Sequence, residues 1–275
     1  MSAEPTGSES DDVNRLAWSS HVSEYVSPDT WTDPGERNVL NRLAPRIRNG
    51  RILDVGVGAG RTAWILPLLS DAYVAIDYTP EMVKAARDLH PALEIRTGDA
   101  RRLDDFEDGS FDFVMFSYNG LDALGDVDRQ TALGEFYRVL VPGGILMFST
   151  LDRTGIAYRE RPWDRIDRSG QRSSLRRAVT FSLKAPFRLA RYWRETMNWN
   201  RLRKLGKDHG DWAIGHLSAH EFGLLVHYIT PEAEKRELER HGFILETMTD
   251  DNGVSMFNFA PRNGRTYFHV VATKL

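Results

Sequence analysis

The sequence predicts an α/β protein built on a doubly wound, mostly parallel sheet, and three observations predict it. Short apolar runs alternate with helix-period segments between residues 51 and 150. A glycine-rich turn follows the first of those runs, and the alternation resumes after residue 230. The 275 residues are enough for one large domain with an insertion, and 41% of them are apolar, enough to bury a core.

Residues 51–55 form an apolar run ending in glycines, which suits a buried strand. Residues 61–69 read as a helix that Pro67 must shorten or kink. A second strand spans 72–76. Thr79, Pro80 and Glu81 then open a helix with a capping residue, a proline at the first helical position and an early acid. Strands follow at 93–96 and, after the Asp108-Gly109 turn, at 111–116. A helix over 128–140 stops at Val141-Pro142-Gly143-Gly144, before a fifth strand at 145–149. Residues 151–230 interrupt the pattern. It resumes with a helix over 231–241 and strands at 243–245 and 266–271. The expected organisation is a polar lead over 1–12, a core over 13–150, a cap over 151–230 and completion of the sheet over 231–275.

Gly56, Gly58 and Gly60 fall where the first strand turns into a helix. Glycine suits a tight turn whose backbone a ligand approaches, and a helix start favours a negative group. Asp77 ends the next strand, 23 residues after Asp54, where a carboxylate can accept from both hydroxyls of a ribose. A dinucleotide site would put its third glycine at position 61, which is Arg61. Asp54 would repel a pyrophosphate but suits a ligand with an ammonium group.

With these features in order, residues 40–150 resemble the class I (Rossmann-like) S-adenosylmethionine (SAM)-dependent methyltransferase family. Leu53-Asp54-Val55-Gly56-Val57-Gly58-Ala59-Gly60 matches the first motif, Asp77 the second and Gly98-Asp99-Ala100 the third. Ser110-Phe111-Asp112-Phe113-Val114 through Ser117 and Tyr118 matches the fourth, and Arg138-Val139-Leu140-Val141-Pro142-Gly143-Gly144 the last. The resemblance implies a seven-stranded sheet with its last strand antiparallel, and SAM as cofactor. It implies cofactor contacts at Asp54, Gly56, Gly58, Gly60, Asp77, Asp99, Ala100 and Ser117, with Tyr78 packing on the adenine. Asp99 also reads as an ordinary turn residue. Arg61 either reaches the SAM carboxylate or is a solvated first-turn arginine. Residues 17–25 resemble an N-terminal helix that closes over SAM in relatives, with Tyr25 as contact or packing residue.

In such a family the protein aligns a nucleophile with an electrophilic methyl group and excludes water. An alcohol acceptor also needs a general base, most often histidine. The acceptor side should come from the insertion. Between residues 151 and 207, 13 Arg and 3 Lys stand against 3 Asp and 2 Glu, although the whole chain carries a net charge of −3. Trp163, Phe181, Phe187, Tyr192, Trp193 and Trp199 are interleaved. A largely helical cap over a small substrate explains the apolar stripe without any ligand and is preferred. A nucleic-acid surface and a membrane-surface or acidic-partner patch are the alternatives. An apolar cap would also offer a homodimer surface.

Residues 216–231 resemble a stretch of bacterial methyltransferases associated with sugar and polysaccharide modification. That likeness makes His220 the candidate general base and His216 the second. Tyr118, Asn119 and Asp122 follow the fourth strand, where relatives place catalytic or substrate-binding groups, although Asn119-Gly120 also reads as a turn. The resemblance therefore implies an O-methyltransferase of a small polar acceptor, a sugar or oligosaccharide. An N-methyltransferase of an amino sugar or small amine, an RNA methyltransferase and a non-catalytic SAM-binding regulator are the alternatives.

With no cysteine, disulfides, thiolate zinc sites and cysteine nucleophiles are excluded. Residues 1–12 lack a signal-peptide pattern and no run approaches 18 apolar residues, so a cytoplasmic protein without a spanning helix is expected. No metal is expected; magnesium on Asp122, Asp250 and Asp251 is the weaker alternative.

Overall fold

The computed structural model describes residues 13, 14, 18, 32–164, 175–256 and 265–275, and only the backbone within 175–187. Helix α1 (Pro34–Ile47) starts at an Asp33 cap, whose side chain accepts from the Glu36 amide, with Pro34 in the first turn. Strands β1 (Ile52–Val55), β2 (Tyr73–Asp77), β3 (Glu94–Thr97), β4 (Phe111–Phe116) and β5 (Leu140–Leu151) pair in parallel. Helices α2 (Pro80–Leu89) and α3 (Asp126–Val139) make crossovers between them. Every residue of β1 is buried, because packed elements cover both faces of the sheet. Phe116, Phe136 and Phe148 fill one side; Val39, Ile47, Phe113 and Met147 fill the other.

The cap follows β5. It contains α4 (Ile156–Arg159), the long α5 (Leu175–Leu202) and strands β6 (Lys207–Asp208), β7 (Trp212–Leu217) and β8 (Leu224–Ile229). Helix α6 (Pro231–Arg240) then returns the chain to the core, where β9 (Phe243–Asp250) and β10 (Tyr267–Lys274) complete the sheet. The order is β3-β2-β1-β4-β5-β10-β9, with β10 antiparallel to both neighbours. The doubly wound, seven-stranded sheet expected from the sequence is present.

Two local features differ from the sequence reading. Residues 61–69 form two short 3-10 turns, Thr62–Trp64 and Leu66–Leu68, rather than one helix. Pro67 has no amide hydrogen and its ring blocks the preceding turn, so an α-helix cannot propagate. The cap is also not helix alone: β6, β7 and β8 form a three-stranded antiparallel sheet. The Arg153 amide donates to the Ile229 carbonyl at 3.1 Å, which ties β8 to the end of β5. The Asn14 side chain donates to the carbonyls of Ala123 (2.9 Å) and Leu225 (2.6 Å), joining core to cap.

Behind the carboxyl edge of the sheet lies a fully buried ion cluster. Arg129 on α3 donates to Asp122 at 2.8 Å, to Glu237 at 3.1 Å, and to Glu234. Asp122 also accepts from the Thr150 hydroxyl and the Leu151 amide, both at 2.6 Å. One cation thus serves three carboxylates in a low-dielectric interior. Burial pushes the Asp122 carboxyl up to about 7 and raises Glu234 against the pull of Arg129. Groups raised on folding bind more protons in the native state than in the unfolded chain. Their contribution to stability is complete below the unfolded carboxylate range near 4 and is lost as pH climbs through the folded value. The contribution of this cluster to stability should therefore fall between about pH 5 and pH 8, and Glu234→Gln should make the overall profile fall less steeply than that of wild type. Urea midpoints across the range check this; parallel pH profiles for the two proteins would refute it.

Candidate functional site

The carboxyl ends of β1, β2 and β4 open onto a cavity of about 470 Å³, closed on the far side by the cap. This is where an open α/β sheet offers a crevice. Gly56 and Gly58 turn the chain out of β1 at φ of 64° and 57°, a region that disfavours side chains. A Cβ on Gly56 would collide with the Phe116 ring, whereas one on Gly58 would meet nothing within 4 Å. Both glycines line the cavity. Asp77, at the end of β2, accepts from the amides of Gly58 (2.9 Å) and Thr79 (2.8 Å), so it locks the glycine turn to the next strand. Burial raises its carboxyl against these hydrogen bonds.

Tyr78 and Ala100 also line this wall, and Trp18 stands edge-on to Tyr78 at 6.0 Å. Asp99 lines it too, gripped by Arg101, whose Nη2 lies 2.6 Å away. Burial would raise Asp99, but Arg101 outweighs it and holds the carboxyl below its usual range. Arg101 reaches on to Asp128 at 2.9 Å.

Arg61 and Ser117 line the other end of the glycine turn. Arg61 is no solvated side chain. It pairs with buried Glu36 through two hydrogen bonds of 2.6 and 2.9 Å and lies 5.6 Å over the Tyr118 ring. Ser117 donates to Glu36 and accepts from Arg61. Burial lowers the guanidinium's hold on its proton, but Glu36 more than restores it.

Several expected site residues sit elsewhere. Asp54 is buried outside the cavity wall, accepting from Thr62 (2.5 Å) and Tyr73 (2.8 Å), while its Oδ1 has no partner among the described residues. Burial pushes its carboxyl up to about 6. Gly60 also lies off the wall. Its φ is 97° and a Cβ there would come within 2.8 Å of the His90 ring, so glycine serves packing. Asp122, expected to meet substrate, is instead fully buried in the Arg129 cluster because its two oxygens anchor Thr150 and Leu151. Tyr118 and Asn119 do line the cavity, both in left-handed backbone at φ of 53° and 60°.

Neither cap histidine is in the wall. Leu217 faces the cavity, so strand alternation turns His216 away, where it stacks on Trp199 at 4.1 Å. Burial lowers its imidazole to about 4. Ser218 and Ala219 reach the cavity, but His220 lies past them in a run of three left-handed residues, His220, Glu221 and Phe222. Among the described residues no histidine lines the cavity. Tyr25 and His21 lie outside the described residues. No group of three acids or histidines positioned for a metal occurs among the described residues. Of the magnesium alternative, Asp122 is committed to Arg129, and Asp250 accepts from the amides of Asn252 and Val254 in its own turn.

Sequence reasoning missed Met82 and Tyr267 in the wall, and its apolar side formed by Leu151 at the end of β5 with Leu217, Leu224 and Val226 of the cap; Trp18, in the 17–25 segment expected to close over the cofactor, lines it too. A signal existed for Tyr267. A last strand running antiparallel brings its first residues, not its last, to the carboxyl edge.

The fold and crevice define a Rossmann-like methyltransferase architecture. Residues 52–144 match a family model described as a methyltransferase domain. The malonyl-[acyl-carrier protein] O-methyltransferase of Erwinia billingiae is 32% identical over 128 residues, 46% of this chain and 49% of that protein. The ubiquinone biosynthesis O-methyltransferase of Xanthomonas oryzae pv. oryzae is 34% identical over 145 residues, 46% of this chain and 58% of that protein. The chain thus spans about half the length of the curated relatives it matches. The solved 1,6-didemethyltoxoflavin-N1-methyltransferase of Burkholderia thailandensis, with 1,6-didemethyltoxoflavin and S-adenosylhomocysteine bound, superimposes with a TM-score of 0.58. The match covers 99% of this chain and 93% of that one at 16% identity, a likeness of fold. No described helix is long and apolar enough to cross a membrane.

Proposed function

We propose that the protein is a SAM-dependent methyltransferase that moves a methyl group to an oxygen of a small acceptor beneath the cap. The observation that carries this reading is one continuous cavity, with the glycine turn, Asp77 and Asp99 on its core side and cap residues opposite. Its volume is within the usual range for a ligand site of about 300–1,000 Å³.

The residues fit the cofactor. Asp77 retains lone pairs beyond those taken by Gly58 and Thr79, enough for ribose hydroxyls. The open space over Gly58 leaves its backbone accessible. Asp54, buried off the wall, props the turn from beneath through Thr62 and Tyr73. Asp77 and Tyr78 would hold the ribose and adenine, Asp99 and Ala100 the far edge of the base, and Arg61 with Ser117 the amino-acid end. When bound, the group supplies an electrophilic methyl on a sulfonium. The chain's own part is to orient an acceptor oxygen in line and keep water out, which its apolar cap side does.

Oxygen rather than nitrogen is favoured because the malonyl-[acyl-carrier protein] and ubiquinone biosynthesis relatives are named O-methyltransferases. The solved N-methyltransferase is 16% identical and bears on fold alone. A saccharide acceptor draws little support, since Leu151, Leu217, Leu224 and Val226 would leave most of its hydroxyls without partners. The His220 base likewise draws no support from a side chain lying off the wall.

Calorimetry with S-adenosylhomocysteine tests the cofactor reading. The wild type should bind, and Asp77→Ala should weaken binding about 10- to 100-fold, the worth of one or two hydrogen bonds to a charged group. No binding by a folded wild type would end the proposal.

A further inference from the structure

We infer that Tyr267, held by Asp33 and His269, receives the hydroxyl of a phenolic acceptor and carries its proton out of the cavity. This rests on the methyltransferase reading and names the acceptor class and the residues that would handle it.

Tyr267 opens β10 and lines the cavity. Its hydroxyl donates to Asp33 Oδ2 at 3.0 Å. Asp33 Oδ1 lies 2.9 Å from His269 Nε2 and accepts from the Glu36 amide at 2.8 Å. The carboxylate is thus fixed at the start of α1, where the helix favours negative charge. Burial would raise Asp33, but His269 and the helix amide outweigh it and keep it ionised. Burial and the Asp33 charge push the Tyr267 phenol far up, so it stays a neutral phenol.

That arrangement has a chemical consequence. A phenol has one proton, and the proton of Tyr267 is committed to Asp33. What Tyr267 offers a ligand is lone pairs, so it selects a hydroxyl donor. Ser117 also donates to a carboxylate, but its oxygen already accepts from Arg61. The Tyr267 oxygen accepts from no described donor. Asp77 and Asp99 are engaged with backbone amides and Arg101, and no described histidine lines the wall. Tyr267 is therefore the link from the cavity to Asp33, whose Oδ2 takes no other hydrogen bond among the described residues.

The apolar cap side decides the acceptor class. A sugar would bury several hydroxyls against leucine and valine, each at a desolvation cost that no hydrogen bond there returns. A phenol brings a flat apolar ring and one hydroxyl, and the Tyr267 oxygen is the acceptor on this wall that is coupled to a carboxylate, unlike Oδ1 of the wall residue Asn119, which has no partner among the described residues. In the step, the acceptor oxygen bonds to the methyl carbon as the carbon–sulfur bond breaks, with its electron pair staying on sulfur. The acceptor's proton passes to the Tyr267 oxygen while the proton of Tyr267 passes to Asp33 Oδ2. The products are an aryl methyl ether, a neutral thioether and protonated Asp33, which loses its proton to solvent. An oxygen gaining a methyl group becomes strongly acidic before it loses its proton, so even a carboxylate held low in pKa can take it.

Catechol is the probe. Wild type should methylate it, with a pH profile flat above the carboxylate range. Tyr267→Phe should bind catechol about 3- to 10-fold more weakly in the S-adenosylhomocysteine complex and lose about 100-fold in kcat. Asp33→Asn keeps a good helix cap, so folding is preserved. Its rate should instead climb with pH as catechol ionises unaided. Both variants should bind S-adenosylhomocysteine within twofold of wild type. A wild type that binds S-adenosylhomocysteine but neither binds nor methylates catechol overturns the inference. So does a Tyr267→Phe protein with unchanged kcat, or an Asp33→Asn profile that matches wild type. Loss of S-adenosylhomocysteine binding by wild type overturns the cofactor reading instead.

Discussion

Arg129→Met is expected to unfold the protein or bring it close to unfolding at room temperature. The guanidinium is completely buried and is the cation shared by Asp122, Glu234 and Glu237. Its removal leaves carboxylates in a low-dielectric interior with no counter-charge, at a cost of about 3–5 kcal/mol. Whole domains are stable by only about 5–15 kcal/mol. The loss is structural first and functional second, because Asp122 holds the Leu151 amide while Leu151, Ala123 and Leu124 line the cavity. Urea denaturation followed by far-ultraviolet circular dichroism measures it. An unfolding free energy within about 1 kcal/mol of wild type would mean the cluster does not hold core and α6 together. Adding Glu234→Gln to the Arg129 variant should recover part of the loss, since one fewer buried charge is left uncompensated.

The second large effect separates two glycines that look alike in the sequence. Gly56→Ala drives a Cβ into the Phe116 ring at a backbone angle of +64°. Left-handed strain of about 1–2 kcal/mol adds to overpacking of about 1–3 kcal/mol. The thermal midpoint should fall by roughly 5–20 °C. Gly58→Ala meets no atom, so it suffers only the strain of its +57° angle and should lose only a few degrees. S-adenosylhomocysteine affinity should nevertheless drop at least tenfold in Gly58→Ala, because the added methyl occupies space the ligand would use. Equal melting of the two variants, or full ligand affinity in Gly58→Ala, would contradict this division of roles.

The ladder of strands and helices was legible because each element carries its own period and punctuation. Pro80 after Thr79 starts α2, and the glycines after β1 end a strand buried on both faces. The core side of the crevice was legible for the same reason. Gly56, Gly58, Asp77, Tyr78, Asp99 and Ala100 all lie at strand ends, which chain order alone locates, and all line the cavity. The cap was harder. Its small antiparallel sheet is made of short strands interrupted by histidines, and pairing of β7 with β8 is a non-local event that no local period announces.

The turn from Asp54 to Gly60, the acid at Asp77 and the doubly wound sheet were therefore determined by the sequence alone, because they depend on neighbours a few residues apart. Tertiary structure decided which of two adjacent carboxylates or histidines meets a ligand. Asp54 and Asp122 turned inward to serve the Thr62, Tyr73 and Arg129 partners, and strand alternation put Leu217 in the cavity and His216 behind it. Tyr267 and Asp33, 234 residues apart, meet only because β10 runs back along β5 to the start of α1. Side-chain direction and long-range partnership follow from packing, and packing exists only once the chain has folded.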